Sequence, residues 1–287
     1  MKLSNKTAIV TGGAGGIGQG IVRHFLSEGA KVAVVDINQE QGDKLVADLS
    51  SLGELIFICK DISLPESAAE IVAETVARFG GLDILVNNAH ASKQAPILET
   101  TPEIWNLSFG TGTLATLYLM QAAHPELKKT RGSIINFGSG AGIKGLPNQA
   151  AYAAAKEAIR AITRTAANEW AADGINVNVV CPLAWTAQLE QFKNAYPEAF
   201  EKNVHTPPMG FFGDPEEHIG RVCVQLAHPD FKYMTGETIT LENEDVLAIL
   251  GSVEPSDGAT VVPDEPVADD SGDVSGDDAF YEDTDDS

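Results

Sequence analysis

Thr7-Ala-Ile-Val-Thr11-Gly12-Gly13-Ala14-Gly15-Gly16-Ile17-Gly18 carries a β-branched run straight into a glycine-rich turn, and a helix-period segment follows as far as Leu26. Glycines at such a strand-to-helix turn let the backbone approach a pyrophosphate, while the helix start offers free N–H groups and the positive end of its dipole. Any tight turn can use glycine, so the surroundings decide. A second β-branched run, 31–35, leads into Asp36, 18 residues after Gly18. A carboxylate there accepts hydrogen bonds from ribose hydroxyls and repels the additional phosphate of NADP, and positions 37 and 38 hold no Lys or Arg to offset it. Strand, turn, helix, strand and acid together mark a dinucleotide-binding unit that favours NAD over NADP.

Outward from this unit the chain keeps alternating short β-branched runs with helix-period segments, the pattern of a parallel sheet covered on both faces. Strands are expected at 7–10, 31–35, 55–59, 84–86, 133–137, 175–180 and 237–241. Seven strands fit one doubly wound α/β domain over about residues 1–250. Ser63-Leu-Pro65-Glu66 reads as a capping box that opens a helix running to about Arg78 and closed by Gly80-Gly81. Thr101-Pro102-Glu103 and Asp214-Pro215-Glu216 open two more helices. The Ala-rich stretch 149–172 is the longest helical signal, and Asp173-Gly174 ends it. Residues 183–213 break the alternation, gathering Trp185, Phe192, Tyr196, Phe200, Met209, Phe211 and Phe212 among Pro197, Pro207 and Pro208. Such a segment is either a lid over a pocket or a satellite core under a loop. Its place after the sixth strand favours the lid, about 183–213, and makes Trp185 a candidate substrate contact.

The formal net charge of −22 is concentrated: 16 of the 41 acidic residues lie from Glu242 onward, where Lys and Arg are absent, leaving a balance of −6 for the rest. Residues 251–287 lose periodicity and are rich in Asp, Gly and Ser, the composition of a disordered acidic tail, read here as a solubility device or a docking arm. With no basic face, nucleic acid and anionic membrane surfaces are excluded as partners. The N-terminal residues show no leader-like apolar region and no stretch is long and apolar enough to span a bilayer, so a cytoplasmic setting is expected. Cys59, Cys181 and Cys223 are far apart, without a CxxC pair or nearby His at ligand spacing, so they read as buried thiols and no metal site is expected.

Ser139 closes the fifth strand, Tyr152 follows 13 residues later, and Lys156 lies at i+4 from Tyr152. On a helix Tyr152 and Lys156 share a face one turn apart, so an ammonium stands beside the phenol and stabilises phenolate. An unperturbed phenol, with a pKa of about 10, is a poor base at neutral pH without such a neighbour. Ser139, at the sheet edge where open α/β folds hold ligands, can hold a substrate oxygen while Tyr152 moves a proton.

Thr11-Gly12-x-x-x-Gly16-x-Gly18, Asn87-Asn88-Ala89, Ser139 and Tyr152-x-x-x-Lys156 together resemble the short-chain dehydrogenase/reductase family over about residues 4–242. The resemblance implies a single Rossmann-type domain, a homotetramer or dimer, and hydride transfer between NAD(H) and a small-molecule alcohol or ketone. By position it implies that Thr11, Gly12, Gly16, Ile17, Gly18, Asp36, Asp61, Ile62, Asn88, Ala89, Pro182 and Thr186 hold the dinucleotide. Lys156 would add a contact to the nicotinamide ribose, with Tyr152 beside it. The aromatic segment suggests a bulky apolar substrate, a steroid, alicyclic or aromatic ketone or alcohol.

The chain departs from the family pattern in four places. His90 stands where the family has glycine after Asn-Asn-Ala, and is read as a substrate contact, a proton shuttle or a tolerated neighbour. Leu183 follows Pro182 in place of glycine, and Thr186 falls one residue earlier than in the family. Gly112 occupies the position of the family's helix Asn, with Ser108, Thr111 and Thr113 close by to compensate. Glu242-Asn243-Glu244 replaces Asp-Gly-Gly. These departures leave a rival reading, a non-catalytic dinucleotide-binding scaffold or sensor. Ser139, Tyr152 and Lys156 speak against it.

Overall fold

The computed structural model describes residues 1–203, 207 and 209–241. Seven strands, β1 (Thr7–Thr11), β2 (Lys31–Asp36), β3 (Leu55–Cys59), β4 (Ile84–Asn87), β5 (Ser133–Phe137), β6 (Asn176–Pro182) and β7 (Thr238–Leu241), form one sheet. Every pair is parallel and the order is β3-β2-β1-β4-β5-β6-β7. The helices are α1 (Gly16–Ser27), α2 (Gln39–Leu49), α3 (Pro65–Phe79), α4 (Pro102–Ser108), α5 (Ala115–Thr130), α6 (Gly140–Lys144), α7 (Ala150–Trp170), α8 (Ala187–Ala195), α9 (Pro197–Asn203) and α10 (Arg221–Ala227). This is the Rossmann-like doubly wound arrangement that the alternating pattern predicts.

Strand side chains alternate between two packed layers. Ala8, Val10, Val32 and Val34 face α1, α2 and α10, where they meet Ile21, Phe25, Leu45 and Val224. Ile9, Ala33 and Val35 face α3, α5 and α7, where they meet Ile71, Leu119, Ala123 and Ala166. Covering both faces makes the central strands mostly apolar instead of alternating with polar residues, and the buried Asn136 of β5 is bonded to Asn87 and Thr163. The strand order reverses between β1 and β4, the switch point at which open α/β sheets bind ligands beyond the carboxyl ends of their strands.

The observed strands run slightly past several expected ends: β1 includes Thr11, β2 includes Asp36, β4 includes Asn87, and β6 starts at Asn176 and ends at Pro182. The capping box at Ser63 is not formed. Asp61 Oδ1 accepts from the Ser63 backbone N–H at 2.9 Å and from its hydroxyl at 2.7 Å, and Leu64 takes the cap position before Pro65. An Asx turn has thus captured the hydroxyl that would have capped the helix. Gly80 does end α3, with φ +88° and its N–H on the Val76 carbonyl. Between α4 and α5 the chain stays helical but widens into a π turn over Phe109–Leu114, which contains Gly112.

Within the segment 183–213 the described residues include two short helices, α8 and α9, separated at Tyr196. The two ends of this segment are clamped together, since Ala184 bridges Gly213 and the Trp185 N–H donates to the Gly213 carbonyl at 2.8 Å. The Phe192 side chain, Pro208, the Glu242-Asn243-Glu244 junction and the tail read at 251–287 lie outside the described residues.

Candidate active site

The glycine turn at the carboxyl end of β1 is shaped by contacts that exclude side chains. Gly12 adopts φ +62°, and a Cβ on it would stand 2.9 Å from Ala89 Cα. A Cβ on Gly18 would stand 2.1 Å from the Gly12 carbonyl oxygen, so only glycine lets α1 start this close to the turn. Gly16 adopts φ +52° with open space where its Cβ would be. No side chain caps α1, whose cap residue is Gly15, so the backbone N–H groups of its first turn remain available to an anion. Ile17 packs its side chain against the core and lends the turn only backbone.

Thr11 and Asn88 clamp this turn to the end of β4. The Thr11 hydroxyl accepts from the backbone N–H groups of Asn88 and Ala89, both at 3.1 Å, and the Asn88 amide donates to the Thr11 carbonyl at 3.0 Å. At the end of β2, Asp36 accepts from the N–H of Ala14 at 3.2 Å and of Ile37 at 2.8 Å, which holds its carboxylate beside the turn. Asp61 and Ile62 follow β3, with Ile62 packed against the core. Pro182 ends β6, and the Thr186 hydroxyl accepts from the Leu189 N–H at 3.3 Å, capping the start of α8. These residues all fall along the carboxyl edge of the sheet, and the uncapped helix start, the close-packed glycines and the carboxylate at the β2 end together fit a dinucleotide.

On the other side of the switch point a cleft of about 340 Å³ is walled by Ser92, Gln94, Ser139, Ala141, Leu146, Gln149 and Tyr152. Ser139 follows β5 and caps α6, its oxygen accepting from the Ala141 N–H at 3.2 Å. That bond uses a lone pair and leaves the hydroxyl hydrogen to donate. Tyr152, near the start of α7, packs with Ala141, Leu146, Leu183 and Phe212 in a small apolar cluster, so Leu183 serves as packing beneath the phenol. One turn on, Lys156 is buried; its ammonium donates to the Phe137 carbonyl at 2.8 Å and lies 5.6 Å from the centre of the Tyr152 ring. Burial pulls the lysine down to about 8, which still leaves it mostly charged at neutral pH.

His90 lies behind Tyr152. The two rings stack at 5.0 Å with an interplanar angle of 18°, and His90 Nε2 meets the Ser108 hydroxyl at 2.9 Å. Burial, followed by the Lys156 charge, drives the imidazole down to about 3. Trp185 packs edge-on against Phe200 and Phe212, at 5.9 and 5.5 Å between ring centres, and Phe212 in turn joins the cluster that packs against Tyr152.

Three wall residues, Ser92, Gln94 and Gln149, carry no signal in the sequence. Folding brings them together because the Ala95 N–H bonds to the Asn148 carbonyl at 2.9 Å and Ala95 bridges Gln149, tying the connection after β4 to the start of α7. The hydroxyls near Gly112 are anchors: Ser108 donates to the Ala151 carbonyl at 3.2 Å and Thr113 to the Ala155 carbonyl at 3.1 Å, each one residue before Tyr152 or Lys156.

A larger cavity of about 370 Å³ opens at the opposite, amino edge of the sheet, beside Lys6, Asp83, Arg131 and Lys232. There the Lys232 ammonium is spent on the carbonyls of Arg131 and Gly132 and on Ser133 and Asn176, clipping β5 to β6. No His, Cys, Asp and Glu cluster suited to a metal occurs among the described residues, and none of their helices is long and apolar enough to cross a membrane.

A family model described as Enoyl-(Acyl carrier protein) reductase matches residues 12–243. Among curated proteins, the chain is 49% identical over 246 residues to a 12alpha-hydroxysteroid dehydrogenase of a Clostridium species, covering 83% of this chain and 95% of the relative. It is 37% identical over 248 residues to a 2,5-dichloro-2,5-cyclohexadiene-1,4-diol dehydrogenase of Sphingobium indicum, covering 84% and 96% of the two. It is also 34% identical over 245 residues to a 2,3-dihydroxy-2,3-dihydro-p-cumate dehydrogenase of Pseudomonas putida, covering 84% and 94%.

Proposed function

The chain belongs to the short-chain dehydrogenase/reductase family, and on that footing we propose that it is an NAD-dependent oxidoreductase that interconverts a hydroxysteroid or similar alicyclic secondary alcohol and its ketone. The observation that carries this reading is the cleft that Ser139 and Tyr152 both line, with the Lys156 ammonium 5.6 Å from the centre of the phenol ring. A dinucleotide held by the β1–α1 turn, Asp36 and the loops after β3, β4 and β6 would supply the hydride acceptor or donor. Ser139 donates its hydroxyl hydrogen to the substrate oxygen and fixes its direction. Tyr152 takes the carbinol proton in oxidation and returns it in reduction. Lys156 favours the phenolate form through its charge, in a buried setting where that charge is weakly screened.

The relatives named for action on steroid, cyclohexadiene-diol and dihydrodiol substrates support an alicyclic alcohol. So does the wall itself: Ala141 and Leu146 offer apolar surface, while Ser92, Gln94 and Gln149 offer polar groups to a second oxygen. At about 340 Å³ the cleft falls near the lower end of the range for small-molecule sites, and residues 183–213 would complete its cover. The direct test mixes the protein with NAD and a panel of hydroxysteroids and cyclohexane diols and follows NADH formation. Binding of NADH without turnover of any member would favour a sensor.

For the cofactor, the proposal rests on Asp36 and on Ile37 and Asn38, which bring no cation to this edge. Wild-type protein is expected to bind NAD at least about tenfold more tightly than NADP, and Asp36→Ala to erase most of that preference, the scale of one charge-assisted hydrogen bond. Tighter wild-type binding of NADP in a fluorescence titration would overturn the assignment. The acidic tail at 251–287 is proposed as a solvated extension, so deleting it should leave NAD affinity unchanged. We assign the chain to the cytoplasm and to a dimer or tetramer assembled through α5 and α7; a sedimentation measurement tests the assembly, and fractionation of cells tests the location.

A further inference from the structure

We propose that His90 is a positioning residue for Tyr152, and that position 112 is glycine because the His90 imidazole occupies the volume its side chain would need. The proposal rests on the reading of Tyr152 as the acid/base.

A Cβ built on Gly112 would lie 3.0 Å from His90 Nε2, 3.1 Å from Cε1 and 3.3 Å from Cδ2, tighter than a packed neighbour tolerates without moving. The imidazole is therefore seated in the notch of the π turn over Phe109–Leu114. Its other contacts are a hydrogen bond to Ser108 on one edge and the stacked face of Tyr152. Next to it, the Ala91 N–H donates to the Thr111 hydroxyl at 3.0 Å, which holds the connection after β4 against the same turn. The two departures from the family pattern, His90 and Gly112, are one arrangement.

Hydrogen counting fixes the tautomer. The Ser108 hydroxyl has one hydrogen, and the Ala151 carbonyl, 3.2 Å away, can only accept it. Ser108 must then accept from His90, so Nε2 carries the proton and Nδ1 is a bare lone pair. Nδ1 is buried and has no partner among the described residues. The titratable groups around the ring are Tyr152 on its face and Lys156 one turn beyond. Burial disfavours a positive charge on the ring, and the Lys156 ammonium opposes it further. A ring that stays neutral neither shuttles protons at neutral pH nor competes with Lys156 for the phenolate. What it supplies is a flat, immobilised surface against which the phenol is held.

The test combines activity with a readout independent of turnover. In the wild-type protein, the His90 imidazole is expected to show the Nε2-protonated neutral tautomer by nitrogen NMR and no titration between pH 5 and 8, in keeping with a pKa pushed down to about 3. Titration near pH 6.5, the ordinary imidazole value of about 6.5, would overturn the packing. His90→Ala is expected to lower kcat about tenfold to hundredfold, the scale of a displaced catalytic group, with NADH affinity unchanged. Gly112→Ala should cause a similar loss in the wild-type background by displacing the ring, and no further loss once His90 is Ala. Equal losses from Gly112→Ala in both backgrounds would overturn the pairing. Full activity of His90→Ala beside an inactive Tyr152→Phe would overturn the positioning role alone, whereas a fully active Tyr152→Phe would overturn the catalytic reading and this role with it.

Discussion

Tyr152→Phe is expected to lower kcat by about 10² to 10⁴, the range for loss of a positioned acid/base, while NADH affinity changes by less than about twofold. The substitution removes one oxygen and keeps the ring. The stack on His90, the apolar contacts to Ala141, Leu146 and Leu183, and the 5.6 Å approach of the Lys156 ammonium all belong to the ring or its neighbours. Fold and cleft shape should therefore survive, and thermal melts should show it. A loss confined to kcat would identify an interaction made in the transition state, whereas a rise in KM at constant kcat would make the hydroxyl a simple binding group. Retention of full activity would move the proton transfer elsewhere in the cleft and remove Tyr152 from the reaction.

That such a prediction is available from the sequence reflects where the information sits. The glycines of the β1–α1 turn and Asp36 are legible because they lie within one local unit, at spacings fixed by strand and helix rise. Tyr152 and Lys156 are legible because i and i+4 meet on any helix. The β-branched runs place all seven strands to within a residue or two, since a strand buried on both faces is built mostly from apolar side chains. The misses have a common physical origin. The Ser63 capping box fails because Asp61, two residues earlier, competes for the same hydroxyl, and local patterns do not rank such competitors. The π turn is set by hydroxyls of Ser108 and Thr113 reaching carbonyls of α7, which are 43 and 42 residues away. Ser92, Gln94 and Gln149 enter the cleft through a single backbone bridge and carry no chemistry that would distinguish them beforehand. His90 stands out in the sequence only as an oddity, and the space above Gly112 explains it.

The second large effect concerns the turn itself. Gly18→Ala is expected to weaken NADH binding more than about a hundredfold and to lower the melting temperature, because the added methyl would stand 2.1 Å from the Gly12 oxygen and 2.8 Å from the Asn88 amide nitrogen. The first of these is main chain, with no rotamer to give, so the helix must move away from the turn or the turn must unwind; overpacking of this kind destabilises by about 1–3 kcal/mol or more. Gly16→Ala separates this from a mere glycine requirement. Its Cβ meets nothing within 4 Å, and its φ of +52° asks only that alanine adopt a left-handed conformation, at about 1–2 kcal/mol. If Gly16 faces the pyrophosphate, the Gly16→Ala protein should melt only modestly lower yet bind NADH far more weakly than that strain accounts for. Gly18→Ala should lose stability and binding together. Melting curves and fluorescence titrations on the two variants, read side by side, decide the matter. Wild-type NADH affinity in Gly18→Ala would mean that the dinucleotide does not depend on the close approach of α1 to this turn.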